Sequence, residues 1–169
     1  VGGIAGSSGY CVRSCYSMGR ISGKNYVGGI VGRGSDIFYC YTYPEIDFTG
    51  EAAGSIAGWV NEEGVLYGNY YVRQEEAGDP AAAVPGVDSI GYEGAAEPLS
   101  YEEFCSRKGV PEAFRTFTVI FQAQGRKLAS IQCSYGDRID LSQVPQIPPV
   151  EGYFGVWPDY AYGPITGRR

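Results

Sequence analysis

The chain has 169 residues, of which 44% are hydrophobic, so it is long and apolar enough to form one or two domains with their own cores. Its formal net charge is −6 and no basic stripe is present, so nucleic acid is not expected as a partner. No apolar run approaches the ~20 residues that span a bilayer, so no membrane insertion is expected in this segment. Histidine, the commonest metal ligand and general base, is absent from the sequence.

A six-residue phrase occurs three times in the N-terminal part of the chain. Val-Gly-Gly-Ile-Val-Gly at residues 27–32 is similar to the segments at 1–6 and 53–58, which lie 26 residues before and after it. A repeat this short cannot bury its own apolar face, so each unit has to stack on the next one. We therefore expect an all-β fold with minor α content, in which residues 1–72 form a short β-solenoid of ~26-residue repeats.

A second phrase follows in phase with the first. Ser-Cys-Tyr-Ser at residues 14–17 returns as Tyr-Cys-Tyr-Thr at 39–42 and, in a looser form, as Asn-Tyr-Tyr-Val at 69–72. Each unit is expected to contain a Gly-Gly-Ile strand, a Cys-Tyr strand and a third strand, the last at residues 20–22 and 45–48. Alternation along these strands directs the isoleucines and the cysteines toward the core.

The tyrosines that follow the inward-facing positions are the candidate ligand-contact residues. If the preceding side chains face the core, Tyr16, Tyr41 and Tyr71 face outward and form a ladder with one ring per coil, ~4.8 Å apart. The favoured interpretation is that these rings stack on one another and cover the sheet. The alternative is an aromatic surface that stacks on sugar rings or docks a partner protein.

Residues 73–113 lack periodicity and are expected to form a connector or a cap over the end of the solenoid. They contain one helix signal at about residues 100–108. Ser100 and Glu103 have the spacing of a capping box, and Gly109 with Pro111 is typical of a helix end.

Residues 114–169 are expected to form a second, small β module. Phe117, Val119 and Phe121 alternate along a strongly β-forming run, and a returning strand at 127–135 follows a hairpin turn at Gly125-Arg126. A short 141–144 segment and a proline-rich stretch lead to an aromatic strand that ends near Trp157. We expect this tryptophan to be part of the module's core.

The repeated Val-Gly-Gly-Ile-Val-Gly and Cys-Tyr-Ser phrases of residues 1–72 resemble the GLUG motif. This short repeat occurs in large surface proteins of gut and mucosal bacteria, including a region of some immunoglobulin A proteases. The third unit departs from the pattern, with Ser55 at the place of the second glycine and Tyr70 at the place of the cysteine. Terminal repeats are often atypical in this way.

Residues 114–160 are similar to the internalin B-type repeat, a β-grasp-like module of Gram-positive surface proteins. The similarity consists of strand, turn, strand, Tyr-Gly-Asp at 135–137, a proline-rich crossing, Glu-Gly-Tyr at 151–153 and a tryptophan. Members of this family continue with one more strand, whereas only residues 158–169 follow here. Both resemblances imply an extracellular, cell-attached protein, and neither implies catalytic residues.

The sequence contains no catalytic constellation, and neither a metal nor a cofactor is expected. The five cysteines lack paired spacing and are expected to pack as small hydrophobes or remain free thiols; they are Cys11, Cys15, Cys40, Cys105 and Cys133. The glycine-rich phrase at 27–34 is followed by a strand pattern and not by a helix, which argues against a phosphate-binding loop. Scattered acidic residues at predicted corners, such as Asp36 and Asp47, are expected to be solvated.

The sequence therefore predicts a non-enzymatic segment of a bacterial surface or secreted protein, with a role in adhesion or as a spacer. A host glycan or a host surface protein is the expected partner. The alternative is an accessory region of a large secreted enzyme whose catalytic part lies elsewhere. The chain begins inside a repeat, so we expect it to belong to a longer protein.

Overall fold

A computed structural model describes residues 1–73, 84–87, 95–158 and 164–165. Strands account for 48% of the structure and helices for 8%, and the fold is a β-solenoid of about three turns, which confirms the predicted all-β class. The chain divides into two compact units, Val1–Val110 and Pro111–Arg169. The helix that is predicted in the connector or cap at 73–113 lies in the first of these units.

The first face of the solenoid takes one short strand from each coil. The strands are parallel and are stacked in the order β1 (Ala5–Ser7), β5 (Val31–Gly34) and β9 (Ala57–Val60). Ala5 lies opposite Val31, and Val31 lies opposite Ala57, so residues 26 positions apart are in register. On this face the predicted repeat period is confirmed.

The second face is also parallel, but its spacing differs from the first. It contains the two-residue strands β2 (Val12–Arg13), β6 (Ile37–Phe38) and β10 (Leu66–Tyr67). Ile37 pairs with Val12 in the first coil, 25 residues before it, and with Leu66 in the third coil, 29 residues after it. The turn at residues 61–65, which is longer than the turn at 35–36, accounts for the extra residues in the third coil.

The third face is the largest sheet, and it has four parallel strands. Their order is β3 (Tyr16–Gly23), β7 (Tyr41–Phe48), β11 (Asn69–Val72) and β12 (Ala96–Leu99). The predicted Cys-Tyr strand and third strand of each unit are in fact one strand, because β3 and β7 pair without interruption over eight residues. The strand β12 lies in the segment at 73–113 that is predicted to be a connector or a cap, and its pairing with β11 places it over the third coil; a strand there was not predicted.

The predicted Gly-Gly-Ile strand is also different in the structure. Two-residue strands β4 (Val27–Gly28) and β8 (Ala53–Gly54) pair at a corner, and Gly29 and Ile30 form a bend before β5 begins. The bend brings successive coils very close together. A Cβ atom on Gly29 would overlap the carbonyl oxygen of Ser55 in the next coil, so only glycine fits there.

The solenoid core is built from equivalent residues of successive coils, and it includes Cys40 as predicted. Ile30 and Ile56 are fully buried, and backbone hydrogen bonds of 2.9 and 2.8 Å link residues 4, 30 and 56 in a row. Ile4, at the same position in the first coil, is 48% exposed, because the described structure provides a neighbouring coil on one side only. The first coil is therefore the least covered part of the core.

A partial fourth layer covers the third coil. The amide of Ser55 donates to the carbonyl of Pro85 at 2.7 Å, and Val87 forms a parallel bridge with Ala57. The Ser55 hydroxyl donates to the carbonyl of Val84 at 3.2 Å. The hydroxyl of buried Ser55 thus has a hydrogen-bond partner at the position where the other units have glycine.

One α-helix follows β12 directly. Helix α1 (Tyr101–Ser106) begins with the predicted capping box, in which Ser100 accepts from the Glu103 amide and the Glu103 carboxylate accepts from the Ser100 amide. The helix buries Phe104 and Cys105 and ends two residues earlier than predicted, at Ser106 instead of residue 108. Residues 74–83 and 88–94 of the predicted connector lie outside the described residues.

The second unit is organised around an antiparallel hairpin. Strand β13 (Thr116–Ala123) pairs with β14 (Arg126–Ser134), and Phe117, Val119 and Phe121 lie on one face as predicted. Gln124 and Gly125 form the turn, with φ of 51° and 72°, as two-residue hairpin turns require. The turn is thus one residue earlier than predicted, and Arg126 is the first residue of β14.

Trp157 packs against this hairpin as expected. Its ring meets Phe121 edge-on with centroids 5.1 Å apart, and its indole N–H donates to the carbonyl of Pro145 at 2.8 Å. Residues 151–157 are a turn and an extended segment and not the predicted aromatic strand. The 141–144 segment is a 3-10 helix at Leu141–Gln143. The predicted β-grasp arrangement stays a prediction, since residues 159–163 and 166–169 lie outside the described part.

Replacing Ile30 by aspartate tests the stacking of the coils. Ile30→Asp should abolish the cooperative fold of the first unit, because an unpaired carboxylate in the fully buried middle coil costs more than about 4 kcal/mol. The measurement is chemical unfolding followed by far-ultraviolet circular dichroism. Ile4→Asp is the matched control at the same repeat position, and it should cost about 1 kcal/mol or less. A stably folded Ile30→Asp variant would contradict the solenoid.

Candidate functional site

The structure forms a tyrosine row, but its third member differs from the prediction. Tyr16 lies opposite Tyr41 in the adjacent strand, and Tyr41 lies opposite Tyr70. Tyr71 lies opposite Thr42 and is only 6% exposed, so its side chain is part of the core. Burial raises the pKa of the Tyr71 hydroxyl, although a backbone hydrogen bond at Gly86 and the charge of Arg73 act in the opposite direction.

The misplacement of Tyr71 is a register error of one residue. The phrase around Cys40 corresponds to residues 68–71 in the structure, so Asn69, and not Tyr70, stands at the cysteine position. A slip of one residue moves every side chain of a strand to its opposite face. The longer turn at 61–65 hides the true alignment, because it shifts the third coil off the 26-residue period.

Most of the tyrosine row is covered by helix α1. The rings of Tyr41 and Tyr70 stack with centroids 5.9 Å apart, and Phe104 meets Tyr41 edge-on at 6.1 Å. Arg107 is the C-cap residue of the helix, and its backbone N–H donates to the carbonyl of Phe104. Its guanidinium lies 3.6 Å from the centre of the Tyr70 ring. This part of the row thus packs the helix onto the sheet, a contact that the sequence analysis did not predict. Tyr16 is 48% exposed.

A cleft of about 460 Å³ opens beside this covered row. We call it the tyrosine cleft. It is lined by residues of the second and third coils, of strand β12 and of the helix end: Tyr39, Tyr41, Leu66, Tyr67, Gly68, Asn69, Tyr70, Ala95, Glu97 and Arg107. Two tyrosines at the corner between faces present the most accessible aromatic surface, since Tyr39 is 45% and Tyr67 is 63% exposed.

Backbone geometry at the corner places these two tyrosines. Tyr39 has the unusual left-handed φ of 54°, and Gly68 has the same conformation at the equivalent position of the third coil. The absence of a side chain on Gly68 leaves space for the Tyr39 ring, because a Cβ there would lie 2.8 Å from that ring. Tyr39 and Tyr67 meet edge-to-face with centroids 5.5 Å apart.

Buried Asn69 holds the same corner from inside. Its side-chain carbonyl accepts from the Cys40 amide at 3.0 Å, and its side-chain amide donates to the Ile37 carbonyl at 2.8 Å. Both hydrogen bonds join the third coil to the second beside Tyr39 and Tyr67. The corner is therefore stabilised by buried hydrogen bonds between the Asn69 side chain and the backbone of the second coil.

The cleft combines aromatic surface with one carboxylate and one guanidinium. Glu97 is exposed on β12, and Arg107 is half-buried against Tyr70. Aromatic rings pack against the apolar faces of sugar rings, while carboxylates and guanidinium groups accept from or donate to hydroxyl groups. The arrangement is suited to binding a polyhydroxylated ligand and contains no paired nucleophile and base among the described residues.

A second cleft of about 450 Å³ lies on the other side of helix α1. Tyr43 and Tyr101 line it, with ring centroids 5.1 Å apart. The Glu103 carboxylate in its lining is already bonded to Ser100, which lowers the pKa of that carboxyl group. The helix cap thus already uses the hydrogen-bonding capacity of Glu103 in this cleft.

Sequence reasoning missed Tyr39, Tyr67, Glu97 and Arg107. A signal for the first two is present in the sequence, since each directly follows a short apolar pair near the corner of its coil. Glu97 and Arg107 reach the cleft only because β12 and α1 pack on the solenoid, and no repeat marks them.

The described part of the chain contains neither a cluster of metal ligands nor a membrane-spanning helix. No group of three or more cysteine, aspartate or glutamate side chains is placed to hold a metal ion there. None of the five cysteines forms a disulfide in the structure, and Cys40, Cys105 and Cys133 are buried. None of the described helices has the length and apolar character needed to cross a membrane.

Comparisons with known proteins identify no relative of this chain. No protein-family model, curated protein or solved structure matches it. The resemblances to the GLUG motif and to the internalin B-type repeat therefore stay predictions, and a functional proposal has to depend on the chemistry of the cleft.

The buried Cys40 thiol should make the fold sensitive to alkali. Burial raises its pKa from 9.0 to about 11, which means that the folded state favours the protonated thiol. The contribution of the buried Cys40 thiol to the stability of the fold is complete below pH 9. It is lost as the pH rises toward 11, because the thiol loses its proton at a lower pH in the unfolded chain than in the folded protein.

We expect the free energy of unfolding to decrease as the pH rises through this window, and to decrease less steeply in Cys40→Ala. Urea titrations at several pH values measure both slopes. Cys11→Ala removes an exposed thiol and should keep the steeper slope. Equal slopes in the wild-type protein and Cys40→Ala would show that this thiol is not held in a buried, protonated state.

Proposed function

We propose that this chain is a non-enzymatic, glycan-binding segment of a bacterial surface or secreted protein, and that the tyrosine cleft is its binding site. The observation that carries the proposal is the presence of two exposed corner tyrosines beside Glu97 and Arg107 in one cleft of about 460 Å³. A cleft of this size accommodates one or two sugar units.

The wall of the cleft supports a sugar ligand more than an apolar one. Tyr39 and Tyr67 supply flat aromatic surface, and their rings contact each other edge-to-face. Glu97 and Arg107 carry opposite charges, so the cleft favours neither a strongly cationic nor a strongly anionic ligand. Hydroxyl groups pair with both side chains, because a carboxylate accepts hydrogen bonds and a guanidinium donates them.

The repeats and the resemblances support the extracellular part of the proposal. Solenoid coils lengthen a protein by repetition of one short unit, and they hold a binding surface at a distance from the point where the protein is anchored. The same segment would serve an accessory role in a large secreted enzyme without any change to the cleft. The two contexts share one binding chemistry and differ in the rest of the parent protein.

A glycan-array screen followed by titration calorimetry on the best ligand tests the proposal. Tyr67→Ala should raise Kd at least tenfold, equivalent to about 1.4 kcal/mol, because it removes the most exposed ring of the cleft. Glu97→Ala should raise Kd several-fold through the loss of a hydrogen bond to a charged group.

Two matched variants serve as controls. Tyr10→Ala removes a tyrosine that is 88% exposed and outside the cleft, and Glu62→Ala removes an exposed carboxylate of the 61–65 turn. Both should bind as the wild-type protein does, and circular dichroism should show that all four variants are folded. Failure of the wild-type protein to bind any glycan, or unchanged affinity in Tyr67→Ala, would contradict the proposal.

A further inference from the structure

Repetition places two thiols at the same position in adjacent coils. Cys15 and Cys40 lie between two pairs that are in register, Arg13 with Phe38 and Tyr16 with Tyr41. The Tyr41 amide donates to the carbonyl of Cys15 at 3.0 Å, which holds the two backbones together at this point. Neighbouring strands of this kind are about 4.8 Å apart, within the Cα separation of about 4.4–6.8 Å that disulfides span.

The two side chains also point in the same direction. The Cys15 thiol donates to the carbonyl of Arg13, and the Cys40 thiol donates to the carbonyl of Phe38, both at 3.3 Å. The Cys40 sulfur also lies 3.9 Å from the carbonyl oxygen of Val12 in the first coil. In the third coil the equivalent residue is Asn69, so the pairing is limited to the first two coils.

We propose that Cys15 and Cys40 form a disulfide that links the first coil to the second under oxidising conditions. The half-buried Cys15 is the accessible partner, and a small-molecule disulfide such as oxidised glutathione is the oxidant. The Cys15 thiolate attacks one glutathione sulfur and releases one glutathione. The Cys40 thiolate then attacks the Cys15 sulfur and releases the second, so two protein thiols are oxidised and one glutathione disulfide is reduced to two thiols.

The link would stabilise the part of the solenoid that has the least core. Val1 and Ile4 are 53% and 48% exposed, whereas Val27 and Ile30, at the equivalent positions of the second coil, are fully buried. A cross-link between residues 15 and 40 restricts the unfolded first coil and disfavours its separation from the second. This inference goes beyond the proposed function, since it concerns the solenoid and not the glycan.

The tryptic cleavage sites, at arginine and lysine residues, lie between the cysteines and permit a direct test. Trypsin separates all five cysteines into different peptides, and it releases Cys11 in 1–13, Cys15 in 14–20 and Cys40 in 34–73. After incubation in a glutathione redox buffer and alkylation, mass spectrometry should show peptide 14–20 joined to 34–73, with the loss of two hydrogens. The oxidised protein should also have a thermal midpoint several degrees higher than the reduced protein.

Two serine variants distinguish the proposed link from its competitors. Cys11→Ser should keep both the joined peptide and the rise in the thermal midpoint, whereas Cys15→Ser should lose both. Two outcomes would overturn the proposal: peptides 14–20 and 34–73 remain separate in the wild-type protein, or Cys11 is the residue joined to Cys40.

Discussion

The close approach of successive backbones at the glycine bend is the constraint on which the rest of the solenoid depends. A side chain on Gly29 would overlap the Ser55 carbonyl, and one on Gly3 would overlap the Gly29 carbonyl. Because no Cβ separates the coils there, the amide of Ile30 reaches the carbonyl of Ile56 at 2.8 Å and the isoleucines stack in a dry core. Hydrophobic burial supplies the driving force, and the glycines make the geometry in which it operates possible.

The register that follows from this stacking decides where the functional groups lie. It places Tyr41 beside Tyr70, and this pair forms the surface on which Phe104 and Arg107 of the helix region pack. The same register brings Tyr39 and Tyr67 together at the corner, where the chain turns from one face to the next. The tyrosine cleft is thus a consequence of coil stacking and of the helix that covers part of the sheet.

The sequence was sufficient to predict the solenoid, the capping box at Ser100 and the faces of the hairpin in the second unit, because each depends on a local pattern. The identity of the third tyrosine was not predictable from the period alone, since the 61–65 turn changes the spacing after Val60. Strand β12 was missed because Ala96–Leu99 has neither alternation nor β-branched residues, and it is a strand through its pairing with Asn69–Val72. The cleft depends on these long-range pairings, so no local signal marks it.

The stability of Gly29→Ala, measured by chemical unfolding beside Gly6→Ala, tests the central claim most directly. Both variants add one methyl group within the repeated phrase, but a Cβ on Gly6 meets no atom within 4 Å. We predict that Gly29→Ala loses at least about 3 kcal/mol or fails to fold, whereas Gly6→Ala changes stability by about 0.5 kcal/mol or less. Equal stability of the two variants would contradict the stacking of the coils described above.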